Sequence, residues 1–262
     1  MRNHTPRRRF GQNFLADAHY VARIVAAIDP RPGDNLVEIG PGLAALTRPL
    51  IERAGHLTAV EIDRDLAARL AAEYPADRLT LHVGDALEFD FAKLGTSLRV
   101  VGNLPYNISS PLLFHLAAHD ARLRDLHVML QREVVARMTA APATPDYGRL
   151  TVMLQAKFRT TRLFVVPPGA FSPPPKVDSA VVRLVPLGAD KPAIVDEVLF
   201  ARLVAAAFGQ RRKTLRNALA GIADAATLAQ AGIDPGARGE TLAVDDYVRL
   251  ANRLAHRRDP AS

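Results

Sequence analysis

Four consecutive residues, Asn103-Leu104-Pro105-Tyr106, carry the most specific chemistry in the chain. An exocyclic amine such as N6 of adenine is a poor nucleophile, because its lone pair is delocalised into the ring. The side-chain carbonyl of Asn103 and the backbone carbonyl of Leu104 can each accept a hydrogen bond from that amine. The geometry favours a pyramidal nitrogen whose lone pair points at an electrophilic methyl group. Pro105 has no N–H to donate and holds the local bend. Tyr106 offers a face on which an extruded base can stack, a contact worth about 1–3 kcal/mol. No strong base is required, since the amine becomes acidic as it is alkylated, so positioning and electrostatics carry the step. A proline turn after a buried strand, with Tyr106 packed on the core, uses the same residue types. What precedes the motif decides between the two.

Three earlier strand ends supply that context. The first runs Glu38-Ile39-Gly40-Pro41-Gly42-Leu43-Ala44, where glycine lets a ligand approach the backbone closely and the following helix offers unpaired N–H groups. The second ends in Glu61, about 20 residues further on, where an acid can accept both hydroxyls of a ribose. The third ends in Gly84-Asp85-Ala86, where a carboxylate can accept from an adenine amino group. Together they suit an adenosine laid across the carboxyl ends of a sheet. A dinucleotide such as NAD satisfies these three ends as well. The fourth strand, ending at Asn103, favours S-adenosylmethionine, which joins an adenosine to a methyl sulfonium.

These positions require a sheet that brings successive strand ends to one edge. Strand-like runs at 36–39, 57–62, 79–83, 98–104 and 126–131 are spaced to leave room for helices such as 43–53 and 66–73. That alternation predicts an open α/β fold, a mostly parallel sheet with helices on both faces. Beyond Tyr147-Gly148 the pattern changes, and 150–158, 163–166 and 179–185 read as strands of an antiparallel edge. The stretch 186–192 has the composition of a linker. After it, 196–208 and 212–219 read as helices, so the expected division is a cofactor-binding domain over 1–187 and a small α-helical domain over 188–262.

Composition narrows the partners. The 262 residues carry a formal net charge of +7, which points to a polyanion. Two basic runs stand out, Arg7-Arg8-Arg9 and Arg211-Arg212-Lys213 with Arg216, each a candidate anchor for RNA phosphates or simply a solvated charged face. There is no cysteine, which excludes disulfides, thiolate zinc sites and the thiolate attack that pyrimidine C5 methylation generally needs. Neither a metal nor a membrane is expected. No apolar run reaches the roughly 18 residues of a membrane span, and no signal peptide follows the basic start, so a cytoplasmic protein is expected.

Further segments add to these motifs: Arg9-Phe10-Gly11-Gln12-Asn13-Phe14-Leu15, Val60-Glu61-Ile62-Asp63, Gly84-Asp85-Ala86-Leu87, Gln131-Arg132-Glu133-Val134, and a Phe171-Ser172-Pro173-Pro174-Pro175-Lys176-Val177-Asp178-Ser179 run. With 37–47, 102–116, 147–155 and 208–219, they make the chain resemble the bacterial small-subunit (16S) rRNA adenine N6,N6-dimethyltransferase family (KsgA/RsmA type) over nearly its whole length. The resemblance implies a Rossmann-like class I methyltransferase fold, a seven-stranded sheet with a small C-terminal helical domain. It implies that Gln12, Asn13 and Leu15 close over the methionine end of S-adenosylmethionine, that Gly40 contacts it through its backbone, that Glu61 clamps the ribose, and that Asp85 with Ala86 meets the adenine. It implies that Asn103 touches both cofactor and target amine, and that Phe171 sandwiches the target base opposite Tyr106. The implied substrate is 16S rRNA in the immature small ribosomal subunit, dimethylated at N6 of two adjacent adenosines near its 3′ end, by an enzyme expected to be a monomer. One departure is Ala44, where the family usually has Gly; its methyl is expected to pack against the sheet from the opening helix. Competing readings are the same chemistry on large-subunit rRNA, DNA adenine methylation, for which the chain lacks a sizeable target-recognition insert, and an inactive ribosome-assembly factor.

Overall fold

The apolar runs that end in the chemistry-bearing residues form the middle of one sheet in the computed structural model, which describes residues 12–210 and 212–258. In chain order the elements are β1 (Phe14–Leu15), α1 (Ala18–Ile28), β2 (Asn35–Ile39), α2 (Thr47–Ala54), β3 (Leu57–Glu61), α3 (Arg64–Glu73), β4 (Leu79–Val83), β5 (Leu98–Asn103), α4 (Ser109–Ala117) and β6 (Leu123–Gln131). They continue with α5 (Arg132–Met138), α6 (Arg149–Gln155), β7 (Phe158–Val166), β8 (Phe171–Ser172), β9 (Ser179–Pro186), α7 (Glu197–Gly209), α8 (Leu215–Ala218), α9 (Ala225–Gln230) and α10 (Val244–Arg258). Two compact units result, one of residues up to Val135 with Thr160–Pro186, the other of Ala136–Arg159 with the chain from Leu187 on.

In the first unit the seven strands lie in the order β4-β3-β2-β5-β6-β9-β7. Strands β4, β3, β2, β5 and β6 are mutually parallel, and β9 runs antiparallel to β6. All five residues of β3 are buried, as expected of a parallel strand covered on both faces. Parallel strands put their carboxyl ends on one edge, so Ile39, Glu61, Val83 and Asn103 end their strands at the same edge of the sheet. The other end of the strands is pinned by a buried ion cluster. Arg99 donates to both Asp125 oxygens (3.0 and 2.9 Å), to Asp34 (2.6 Å) and to the Ile28 carbonyl (2.6 Å). Burial alone raises the pKa of Asp125, but neighbouring His127 and Arg99 bring it down to about 2.

Local chemistry explains several boundaries. Asp17 starts α1 by accepting from the His19 N–H, and Asp63 starts α3 by accepting from the Asp65 N–H. The helix expected over 43–53 begins only at Thr47, because Gly42 and Ala44 both hold positive φ, +58° and +66°, which an α-helix cannot accommodate. Ala44 therefore sits in the turn, buried and left-handed, a conformation that favours the glycine usual in the family.

The largest difference lies at 150–158. These residues form no strand: Arg149–Gln155 is α6, and the strand β7 starts only at Phe158. Gly148 donates its N–H to Thr151 Oγ1, and Thr151, Val152 and Leu154 are buried, so the apolar run is a short buried helix. Short apolar runs do not distinguish the two by periodicity. Val152 and Ala156 pack with Tyr147, Phe200, Leu203 and Tyr247 into the second unit's core, with Tyr147 donating to the Leu242 carbonyl (2.8 Å). The boundary expected at 187/188 meets the second segment of this unit, but 136–159 belongs with it too, so the unit is discontinuous in sequence. The expected helix over 212–219 shortens to Leu215–Ala218, leaving Arg212 and Lys213 exposed in the turn before it.

Candidate active site

The strand ends converge on one cleft in the first unit, whose lining includes Gln12, Asn13, Leu15, Glu38, Gly40, Glu61, Asp85, Ala86 and Asn103 to Tyr106. Every cofactor-site position read from the sequence thus borders one space. Gly40 has φ +68°, and a Cβ built there would meet nothing within 4 Å, so the main chain turns directly onto the open cleft. Leu43 and Ile62 line the same wall, 36% and 41% exposed, an apolar surface left uncovered beside buried acids.

Glu61 is 4% exposed and held from two sides: the Gly42 N–H donates to Oε2 (3.1 Å) and the Asp63 N–H to Oε1 (2.9 Å). Burial raises its pKa, and the two backbone donors oppose the rise. Each carboxylate oxygen has a second acceptor site, so the backbone bonds orient Glu61 without exhausting it. Asp85 Oδ1 accepts from the Leu87 N–H (2.9 Å), which turns the carboxyl into the loop after β4.

The segment from Gln12 to Asp17 is strapped across this cleft by bonds to residues far along the chain. Gln12 Nε2 donates to Asp63 Oδ2 (3.1 Å). Phe14 and Leu15 pair with Ser172 and Phe171 in a two-stranded ribbon, and the N–H groups of Ala16 and Asp17 both donate to the Ala170 carbonyl. A Cβ on Gly42 would come within 3.0 Å of the Phe14 ring, so this glycine lets the strap close. Above all, Asn103 Nδ2 donates to the Asn13 carbonyl at 2.8 Å. That bond engages one N–H of the amide and fixes its orientation, so that Oδ1 is the side chain's acceptor. It is the polarity an amine substrate requires.

The Leu104 N–H donates to the Met129 carbonyl (3.1 Å), tying the motif to β6. Pro105 is extended (φ −58°, ψ 131°), and the chain then turns through Tyr106–Ile108 into α4. Ser109 Oγ, at 3.1 Å from both the Pro105 and Tyr106 carbonyls, closes that turn.

The resemblance gives Phe171 to the target base, and in the structure its ring is packed in the core. It is 4% exposed, packs in the core with Leu15, Ile24 and Val181, and is absent from the cleft lining. Its pairing with Leu15 in the ribbon draws the ring inward, so it would have to leave the core to meet a base. Arg212, Lys213 and Arg216 are exposed in the second unit. Arg7, Arg8, Arg9 and Arg211 lie outside the described residues. Among the described residues no group of three or more His, Cys, Asp or Glu could hold a metal ion.

Three polar residues at the site are not singled out by the sequence: Glu38, Thr47 and Ser109. Glu38 is the notable one. It is 2% exposed, and Thr47 Oγ1 donates to its Oε2 at 2.6 Å. Burial, assisted by repulsion from Glu61 and opposed by the Thr47 bond, pushes its pKa up to about 8. The acid immediately before the Gly-rich turn is the one local signal for it. A testable consequence concerns stability in the absence of ligand. An unfolded glutamate titrates near 4.5, whereas folded Glu38 keeps its proton to about 8. Between these values the folded state binds the extra proton, so this group's contribution to stability falls as pH rises. Glu38→Gln abolishes the titration. Its stability relative to the parent should grow from pH 5 to pH 8 by at most about 3.5 kcal/mol. Thermal melts across that range check it, and a difference independent of pH refutes a neutral Glu38.

Comparison with known proteins agrees with this geometry. The family model described as ribosomal RNA adenine dimethylase matches residues 3–256. The chain is 62% identical, over 97% of its own length and 96% of the other's, to ribosomal RNA small subunit methyltransferase A of Aromatoleum aromaticum. Among solved structures, a dimethyladenosine transferase from Plasmodium falciparum shares the fold at a TM-score of 0.81, with 24% identity over 94% of this chain and 98% of that one. The 23S rRNA methyltransferase ErmE is similar at a TM-score of 0.69, 28% identical over 93% of this chain and all of that one. The strap, the acid-lined cleft and the oriented Asn103 therefore sit in a Rossmann-like class I methyltransferase fold, and the chain belongs to the ribosomal RNA adenine dimethylase family.

Proposed function

We propose that this chain transfers methyl groups from S-adenosylmethionine to N6 of two adjacent adenosines near the 3′ end of 16S rRNA, two to each, in the immature small subunit during ribosome biogenesis. The observation that carries the reading is the Asn103 amide, fixed by the Asn13 carbonyl so that it presents an acceptor at the cleft. Family membership and 62% identity to a small-subunit methyltransferase favour 16S over 23S rRNA, ErmE being 28% identical.

The cleft fits the cofactor. Gly40 leaves its backbone open to a ligand, Glu61 is an oriented acceptor for ribose hydroxyls, and Leu43 and Ile62 supply apolar surface for an adenosine. Asp85, Ala86, Gln12, Asn13 and Leu15 line the same cleft, and the family resemblance gives the first two to the adenine and the other three to the methionine end. When bound, S-adenosylmethionine supplies an electrophilic methyl sulfonium. Asn103 Oδ1 and the Leu104 carbonyl accept from the target amine and aim its lone pair. The proton released after alkylation passes to solvent, as no strong base is needed. Tyr106 stacks on the extruded base, and Phe171 supports Leu15 from the core. The chain works as a cytoplasmic monomer without a metal.

Radiolabelled methyl transfer to undermethylated small subunits, followed by nucleoside analysis, tests the reading. Label in N6,N6-dimethyladenosine near the 3′ end is expected; label elsewhere in the 16S rRNA, or none while isolated 23S rRNA is labelled in a parallel reaction, overturns it. The basic turn is tested separately by neutralising Arg212, Lys213 and Arg216. The slope of log affinity against log salt should shrink by roughly 0.7–0.9 for each phosphate that the variant no longer neutralises. An unchanged slope removes these residues from the RNA interface.

A further inference from the structure

Tyr106 is anchored at both ends. Its backbone is held by Ser109, whose hydroxyl binds the Pro105 and Tyr106 carbonyls. Its phenol oxygen lies 2.6 Å from Ser179 Oγ, a residue 73 positions away. Ser179 is fully buried at the start of β9, paired with Gln131 at the end of β6. Asp178 beside it accepts from the Arg132 N–H (2.9 Å) and forms an ion pair with the Arg132 side chain (2.9 Å). The serine hydroxyl is therefore a fixed point on the sheet, whereas Tyr106 stands on a one-turn 3-10 segment that borders the cleft and is only half-buried.

A stacking ring gains from being held in one plane. An untethered tyrosine on a short turn must lose rotamer freedom when the base arrives, and binding is weakened by that ordering cost. Fixing the phenol tip against the sheet removes the cost in advance and sets the height of the ring relative to Asn103, three residues earlier. We propose that Ser179 is a positioning residue for methyl transfer, holding the Tyr106 ring in the plane on which the target adenine stacks. The inference rests on the adenine N6 chemistry proposed above and deepens it, assigning a function to the last residue of the Phe171–Ser179 run.

The test compares Tyr106→Phe, Ser179→Ala and the double variant. The first keeps the stacking face and removes the tether; the second removes the tether from the other side. Three readouts are taken: kcat and KM with undermethylated small subunits, the calorimetric Kd for S-adenosylmethionine, and quenching of 2-aminopurine placed at a target adenosine of the rRNA. The absence of tryptophan from the chain keeps the fluorescence background low. Each single variant should lower kcat/KM by about tenfold, the equivalent of one hydrogen bond, with cofactor Kd unchanged and 2-aminopurine quenching weakened. The double variant should be no worse than either single one, since both remove one interaction. Ser179→Ala with wild-type turnover and quenching overturns the inference, as does a double variant whose losses multiply. Losses that disappear on cooling, in step with a lowered Tm, also overturn it, because they mark a purely structural serine. Tyr106→Phe keeps the question answerable if Ser179→Ala fails to fold. A wild-type chain that methylates no small subunits refutes the proposed function itself, an outcome separate from any of these.

Discussion

Asn103→Ala should reduce kcat for methyl transfer by on the order of 100- to 1,000-fold, the range seen when one preorganised polar contact to a transition state is removed. The physical reason is the committed amide. With Nδ2 held by the Asn13 carbonyl the amide cannot flip, so Oδ1 and not an N–H is kept for the amine, and an acceptor is what pulls the amine out of conjugation. Alanine removes that acceptor and leaves the Leu104 carbonyl alone. Affinity for the small subunit should change little, because phosphate contacts elsewhere dominate it. Asn103→Asp separates the two functions of the side chain. It keeps an acceptor toward the amine but replaces the donor to Asn13 with a second oxygen facing a carbonyl. A smaller loss, about tenfold, is expected if the Asn13 bond only orients the group. Single-turnover assays at saturating cofactor measure both. Full activity in Asn103→Ala refutes the mechanism.

Gly102→Ala should be the most damaging single methyl in the first unit. A Cβ at this position would lie 2.5 Å from the Ile39 carbonyl oxygen and 3.3 Å from Leu104 Cδ2. The first neighbour is backbone of β2, paired with β5 in the middle of the sheet, and cannot rotate aside. The strands must separate, at a cost of about 1–3 kcal/mol, as for other overpacked interiors. In a domain of this size each kcal/mol lowers Tm by about 2–4 °C. The functional loss should exceed the stability loss. Ile39 precedes Gly40 and Gly102 precedes Asn103, so the same movement parts the cofactor-facing turn from the amine acceptor. A misplacement of about 1 Å can cost 100-fold in rate. Gly209→Ala is the control: nothing lies within 4 Å of its Cβ, and it sits at the end of α7. Its Tm should be unchanged or slightly raised. Equal Tm values for the two variants would show that the β2–β5 contact is not tight in solution.

Much of the fold and of the site is legible in the sequence because it is encoded locally. The parallel strands are apolar runs punctuated by Gly, Pro and acidic residues, and each chemistry-bearing residue stands at a strand end. Glu61, Asp85 and Asn103 need only the parallel rule to be brought to one edge. The mismatches are also local in origin. The segment 149–155 is apolar and short, so neither its length nor its period separates strand from helix. Ala44 reads as helical because an alanine gives no sign of a left-handed turn. The motif around Phe171 assigns that ring to a base, although its pairing with Leu15 buries it.

The sequence by itself determined the α/β class, the order of the cofactor-facing strand ends, the Asn103 to Tyr106 motif and the basic balance. Only the tertiary structure decided the orientation of the Asn103 amide, the tether on Tyr106, the neutral Glu38 carboxyl, and the return of 136–159 to the second unit. The division has one physical cause. Strand periodicity and turn chemistry act over a few residues and leave a repeating trace in the sequence. The bonds from Asn13 to Asn103 and from Tyr106 to Ser179 span 90 and 73 residues, and no local pattern records which partner a polar atom will meet once the chain has folded.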